Sequence, residues 1–353
     1  MPAIQTIKKR FPGHRFVLLT DNYAGAGKNR VSSWDVLGPT GWFDEVIFYT
    51  PAAKRYFALR EAAKNGFLLL RRIRELSPEH IFNLSPERRT WQARRDIFYF
   101  KHLAGRGAHY HGPQRPGRYR LFHREGGPCK SASSCEPEWK TLLGIAGEDE
   151  SVPGFRLAIP EDERSLFLKL AGAKGLFLAS QGEDRLLAVG PGSKMSAKRW
   201  PTRSFCELGK LLLKKFQGLH LLVLGGKEDQ ETGNELCRAW GGRAHNFAGE
   251  LSVYGSAAAL ERCEGFIGND SGTMHLAAMA GVPCVALFSA RDRPGKWAPY
   301  GDNHVILRHA TLCAGCMLEE CGTHQGLCLR MITTAQVFEA ARKMLTAKEH
   351  KRT

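Results

Sequence analysis

Between residues 186 and 288 the chain alternates short apolar runs with longer stretches of helical periodicity, and this alternation restricts the fold more than any other feature. The apolar runs at 186–190, 219–224, 265–268 and 283–288 read as strands, and 202–215, 229–240, 252–262 and 272–280 read as the helices between them. Strands separated by helices pair in parallel, because the crossover helix returns the chain to the same end of the sheet. A second series precedes this one, with strands at 16–21, 45–49 and 80–84 and helices at 3–10 and about 59–76. Residues 105–154 are irregular and rich in Gly, Pro, Ser and Arg, apart from a short strand at 108–111. Two such series in 353 residues predict an α/β protein with two Rossmann-like doubly wound domains. The expected domains are 1–175 and 176–333, joined through the Gly- and charge-rich residues near 172–184, followed by a helix and tail over 334–353. Folds of this kind bind ligands beyond the carboxyl ends of their strands, and two-domain versions often bind in the cleft between domains.

The formal net charge of +16 favours an anionic partner: nucleic acid, an anionic membrane surface or a phosphorylated substrate. A basic surface without a charged target fits the same number. No apolar run approaches the roughly 20 residues of a membrane-spanning helix. The first ten residues lack the charged-then-apolar order of a secretory signal, so a cytoplasmic location is expected. No nucleic-acid motif and no interleaved aromatic platform is present, so nucleic acid is not the expected partner.

Three strand-to-helix loops in the second series carry the candidate chemistry. The first, 190–201, places Gly192, Ser193, Lys194, Lys198 and Arg199 after a buried strand, a set suited to diphosphate oxygens. It is not a Walker A loop, because the G-x-x-x-x-G-K-[ST] spacing is missing. The second runs from Gly268 through Asp270, Ser271, Gly272, Thr273 and His275. Asp270 or Ser271 is placed to cap the following helix, whose free N–H groups and positive dipole end suit an anion. The third, 224–231, offers carboxylates for ribose hydroxyls. Taken singly, each loop reads equally as ordinary structure: a Gly-Pro turn with solvated lysines, a capped helix, an acidic first turn. Together they converge on one end of one sheet.

The motif Gly-Ser-x-x-x-Ala-Lys-Arg-Trp-Pro at 192–201 resembles the nucleotide-sugar loop of glycosyltransferase family 9. Asp270-Ser271-Gly272-Thr273-Met274-His275-Leu276-Ala277-Ala278 resembles that family's Asp-[ST]-Gly-x-x-His-Leu-Ala-Ala signature. Val285–Phe288, Pro299-Tyr300-Gly301 and the stretch from Asn83 to Asp96 continue the likeness. The resemblance implies a GT-B architecture, two Rossmann-like domains facing a cleft. It implies inverting transfer of a sugar, typically heptose from ADP-heptose, to a lipopolysaccharide-type glycolipid, with no metal or other cofactor required. By matching position, Gly192, Ser193, Lys194 and Lys198 with Asp270, Ser271, Gly272, Thr273 and His275 would hold the donor diphosphate. Leu251 would lie against the base and Glu228 near the ribose, with Lys227 an alternative. Family members also begin with a strand and a Gly-Asp loop that bears the general base. The chain starts where their first helix starts, so that strand and base are expected to be missing, through a late-assigned start or through true loss. The catalytic base is then unassigned; Asp21 is a poor substitute. A catalytically weak or inactive nucleotide- or nucleic-acid-binding homologue is the alternative.

Arg88, Arg89, Arg94 and Arg95 suit a phosphorylated glycolipid acceptor and a peripheral hold on the inner face of the cytoplasmic membrane. Their stems fit a plain helix surface as well. Cys313, Cys316, Cys321 and Cys328 fall within sixteen residues. The spacing admits a structural zinc, an iron–sulfur cluster, two disulfides or unligated thiols.

Overall fold

The computed structural model describes residues 1–21, 33–49, 58–84, 90–104, 106–112, 137–147, 155–178 and 185–349. They divide into two compact units, the described residues up to 147 and those from 155 onward.

The first unit contains α1 (Pro2–Arg10), β1 (Val17–Asp21), α2 (Ser33–Leu37), β2 (Glu45–Tyr49), α3 (Ala58–Leu76), β3 (His80–Phe82), α4 (Thr90–Ile97), β4 (His109–His111) and α5 (Glu138–Ala146). A π-helical stretch, Phe98–Ala104, continues α4. Pro2 opens α1 at a position where its missing N–H costs nothing, and Lys8, Lys9 and Arg10 close it against the negative end of the helix dipole. Ala3 and Ile7, one turn apart, bury against Leu143 and Ala146 of α5, with Phe11, Phe16, Phe82 and Leu84 around them. β1 pairs with β2 and β3 with β4, both in parallel. Among the described residues these are two separate two-stranded parallel sheets.

The second unit contains α6 (Glu161–Ala173), β5 (Arg185–Gly190), α7 (Thr202–Lys215), β6 (Leu219–Val223), α8 (Gln230–Trp240), β7 (Ala244–Asn246), α9 (Val253–Glu261), β8 (Gly265–Asn269), α10 (Gly272–Met279), β9 (Cys284–Phe288), β10 (Val305–Arg308), α11 (Leu327–Arg330) and α12 (Thr334–Glu349). Its strands form one parallel sheet in the order β10-β9-β8-β5-β6-β7. Counted from β5 and read from the other edge, this is the 3-2-1-4-5-6 order of a dinucleotide-type fold, with the direction reversing between β5 and β8. The period of two decides which helices cover which face. Leu187, Val189, Leu221, Val223, Ile267 and Val285 pack with Phe205, Leu208 and Leu212 of α7 and with Val337, Ala341 and Leu345 of α12. Leu186, Ala188, Leu222, Phe266 and Ala286 point to the opposite face and are fully buried as well. Burial on both sides explains why these strands read as unbroken apolar runs.

Two boundaries differ from the sequence expectation. The division precedes α6 instead of falling at 175/176, because α6 docks on α9 through Arg164–Glu261 (2.8 Å) and the hydroxyl of Ser252 donating to Glu163 (2.7 Å). Residues 334–349 are no detached tail, because α12 supplies core side chains to the second sheet. Among the described residues no helix is long and apolar enough to cross a membrane.

Packing in α7 gives a prediction with an unusual sign. Alanine for glycine inside a helix normally stabilises by about 1 kcal/mol. A Cβ at Gly209, however, would overlap the Trp240 indole, which is itself anchored by its N–H to the Cys206 carbonyl (3.1 Å). Gly209→Ala is expected to destabilise by roughly 1–3 kcal/mol in denaturant unfolding; a stabilised variant would contradict the packing.

The first unit carries a pH signature. His80 Nδ1 lies 3.0 Å from His111 Nε2, so at least one ring must stay neutral to accept the proton. Burial lowers both below the ordinary histidine value of 6.5, with His109, His14 and Arg10 acting in the same direction on His80 and Glu79 opposing; His80, Arg10 and His109 reinforce the effect on His111. Depressed histidines contribute stability that is complete above 6.5 and is lost as pH falls from 6.5 through the lowered values. Thermal melts should therefore decline as pH falls below that point. The decline should soften in a His80→Gln/His111→Gln protein; an equal slope in both would assign it elsewhere.

Candidate active site

The loops that follow β5 and β8 meet where the strand order reverses, the position at which parallel α/β sheets bind ligands. Asn269, wholly buried at the end of β8, joins them. Its Nδ2 donates to the Pro191 carbonyl (2.6 Å) and its Oδ1 accepts from the Trp200 N–H (2.9 Å). Ser193 donates to the Asp270 carbonyl (3.2 Å), and Arg199 donates to the Ser193 carbonyl (2.8 Å). Lys198 donates to Asp270 Oδ2 at 2.6 Å, with both side chains largely shielded from solvent, 12% and 7% exposed. An ammonium has three N–H groups and Asp270 takes one, so an incoming anion can be met by the others.

The start of α10 lies beside this pair. Neither expected cap forms: Asp270 is engaged by Lys198, and Ser271, the N-cap residue, makes no side-chain bond to the helix. The Ser271 hydroxyl is buried with no hydrogen-bond partner. A buried hydroxyl left unpaired costs free energy that a ligand oxygen would recover. The space above Gly272 is open, with nothing within 4 Å of where a Cβ would sit, and the N–H groups of the first turn have no intrahelical acceptors. The dipole of the helix adds partial positive charge at the same point. Burial lowers His275 below its usual range; Asp270 pulls the other way, while Lys198 and His304 reinforce the effect. A neutral ring can offer one N–H without a full charge.

The loop after β6 approaches from the other side. Asp229, one of the carboxylates of this loop, is buried and fills the space a Cβ would need at both Gly192 and Gly225. It accepts from the Gly226 N–H (3.0 Å), and burial raises it above the usual carboxylate range despite that bond. Gly192 is thus required by Asp229, and the glycine with room for a ligand is Gly272. Glu228 and Lys194 are exposed. Gly249, at φ +76°, donates to Gly225 (3.0 Å), which brings the loop carrying half-buried Leu251 against the turn carrying Glu228. The sequence signal for Asp229 and Asn269 was slight: each polar side chain stands beside a strand end whose apolar run predicts burial.

The remaining candidates lie elsewhere. Arg94 and Arg95 are exposed on α4, with Arg95 paired to Asp96 (2.6 Å); Arg88 and Arg89 fall outside the described residues. Asp21 ends β1 opposite Tyr49, and its side chain is likewise outside them. The four clustered cysteines are free thiols. Among the described residues no three His, Cys, Asp or Glu side chains gather closely enough to hold a metal ion. Burial raises the Cys328 thiol above its ordinary value. The cysteine-bearing segment instead braces the donor loop: the Glu319 carbonyl accepts from the Ala197 N–H (3.0 Å), and buried Arg291 donates to the Leu318 and Met317 carbonyls (2.6 and 2.8 Å).

A parallel sheet with hydroxyl, ammonium and helix-start donors converging at its switch point defines a doubly wound α/β unit with a candidate anion site. Residues 150–325 match the family model described as Glycosyltransferase family 9 (heptosyltransferase), and the chain belongs to that family. It is 33% identical over 141 residues to lipopolysaccharide heptosyltransferase 2 of Salmonella typhimurium, covering 38% of this chain and 37% of that protein. It is 30% identical over 170 residues to lipooligosaccharide heptosyltransferase 2 of Campylobacter jejuni, covering 46% and 51%. The alignments thus span about a third to a half of these relatives. The structure of E. coli ADP-heptose lipopolysaccharide heptosyltransferase II superposes with a TM-score of 0.62 over 99% of this chain and 94% of that one, at 20% identity. A family 9 glycosyltransferase from Veillonella parvula gives 0.66 over 98% and 92%, also at 20%. These likenesses establish the fold, α/β with parallel sheets.

Ser271 separates binding from stability. Its hydroxyl makes no bond in the free protein, so Ser271→Ala should leave the melting temperature unchanged or slightly raised. Calorimetric affinity for ADP or UDP should fall about 3- to 10-fold, the worth of one hydrogen bond. A drop in stability with unchanged affinity would reverse the assignment.

Proposed function

We propose that this protein is a glycosyltransferase that moves a sugar from a nucleoside diphosphate to a lipopolysaccharide-type glycan acceptor, with ADP-heptose the donor. The observation that carries the reading is the convergence of Lys198, the unpaired Ser271 hydroxyl and the free start of α10 at the switch point. The relatives named above, heptosyltransferases by description, support the donor and the acceptor class.

In the proposed reaction the donor diphosphate lies across Gly192–Ser193 and the start of α10. The acceptor hydroxyl oxygen attacks the anomeric carbon from the face opposite the nucleotide. The bond from that carbon to the diphosphate oxygen breaks, so the configuration inverts. The hydroxyl proton passes to a base that the described side chains do not assign. The electron pair left on the diphosphate is met by Lys198, by the Ser271 hydroxyl and by the N–H groups of Gly272 and Thr273, all fixed before the reaction begins. Neutral His275 adds a donor nearby. The leaving group is stabilised by protein groups alone, and no metal or cofactor is required in this scheme. Glu228 and Leu251 hold the nucleoside. Arg88, Arg89, Arg94 and Arg95 receive the phosphorylated acceptor, and the protein works at the inner face of the cytoplasmic membrane.

Lys198→Ala tests the central step. It removes the cation that meets the departing diphosphate, an effect on the order of 10²–10³ in kcat. Release of ADP from ADP-heptose in the presence of acceptor is the measurement, and turnover within threefold of the parent would refute the role.

A further inference from the structure

The first unit presents an apolar patch with a basic border that the sugar-transfer reading leaves unused. In α3, Phe67 is 65% exposed and Leu68 51%, and in the π-helical stretch Phe98 is 57% exposed. At 100° per residue, Phe67, Leu68, Arg71 and Arg72 occupy one face of α3 within about 140°. Ile73, on the opposite side, is buried in the unit. This helix therefore spends one apolar stripe on the fold and shows a second to solvent.

The π-helical stretch that carries exposed Phe98 runs beside α3 and is tied to it at both ends. The Tyr99 hydroxyl donates to the Gly66 carbonyl (2.8 Å), next to Phe67, and Arg74 donates twice to the Leu103 carbonyl (3.2 and 3.1 Å). Lys101 and His102, following Phe98, are exposed. Arg71 pairs with Glu75 (2.9 Å), and Arg72 with Glu45 (2.7 Å) and Glu75 (3.7 Å), while the two arginine side chains stay 72% and 47% exposed. Residues 58–76 and 90–104 together carry eight Lys and Arg against three Asp and Glu.

We propose that the face formed by Phe67, Leu68 and Phe98, bordered by Arg71, Arg72 and Lys101, docks on an anionic lipid bilayer. Aromatic and aliphatic side chains on an amphipathic element bury into the boundary between headgroups and acyl chains, while flanking cations meet anionic headgroups. The excess of positive charge around the patch is complementary to such a surface. The proposal deepens the reading of a glycolipid acceptor and rests on it for its purpose, but its physical test does not involve the donor site.

The test is sedimentation of the full chain with vesicles of phosphatidylglycerol and phosphatidylcholine, against vesicles of phosphatidylcholine alone, at low and high salt. The parent should bind the anionic vesicles at least tenfold more tightly and lose the preference in high salt. Phe67→Ser/Leu68→Ser/Phe98→Ser should cut anionic binding at least tenfold with circular dichroism and ADP affinity unchanged. Phe67→Trp covers the case in which the triple variant misfolds: its added fluorescence should shift to the blue on anionic vesicles and be quenched by brominated acyl chains. Parent-level binding by a folded triple variant, no vesicle binding by the parent, or unquenched added fluorescence in the Phe67→Trp variant would each overturn the assignment. So would a parent that dimerises through this face, a triple variant that does not, and no vesicle binding by either. Lys198→Ala should keep the vesicle binding, so loss of transfer and loss of docking report on separate claims.

Discussion

Asn269 is the side chain on which the donor end of the sheet depends. Wholly buried, it satisfies the Pro191 carbonyl with its amide nitrogen and the Trp200 N–H with its amide oxygen. Both are main-chain groups of a loop that the parallel sheet itself cannot pair. Without this bridge the loop after β5 would leave buried polar groups unsatisfied. The arrangement also explains why the loop needs no glycine-rich phosphate wrap of the Walker type. Its shape is set from beneath by β8 and from beside by the Glu319 carbonyl.

The charges at this point are prepared and then left partly unspent. Asp270 holds Lys198 in a shielded place where a lone ammonium would be costly. The same pairing withdraws Asp270 from capping α10, so the helix start and the Ser271 hydroxyl stay free for an external oxygen. Asp229 performs a different task. Its carboxylate occupies the volume that glycines at 192 and 225 leave vacant, and so locks two loops that come from adjacent strands.

Most of the second unit was legible in the sequence because its sheet is buried on both faces, and such strands appear as apolar runs with glycines at their ends. The donor loops could be located by the same logic. The particular bonds could not. Whether Asp270 or Ser271 caps α10 depends on Lys198, 72 residues away, and no local pattern carries that information. The helix α6 was not recognised in the sequence, and α12 was recognised without its place in the core, because α9 and α7, the partners that claim them, are distant in the chain. In the first unit β1 to β4 were found at nearly the right residues, yet their pairing into two separate sheets depends on neighbours that residue pattern does not specify. The cysteine spacing left metal, disulfides and free thiols open, and the fold also uses that segment's carbonyls as a brace.

The position of α12 has a bearing on how the protein is made. The face of the second sheet formed by Leu187, Val189 and Ile267 is closed in part by Val337, Ala341 and Leu345, contributed from the far end of the chain. During synthesis the central strands β5 and β8 emerge long before residues 334–349. Until that helix leaves the ribosome, part of the sheet has no cover, and a nascent chain must keep an oily surface away from its neighbours. That face of the sheet is therefore encoded early and covered late.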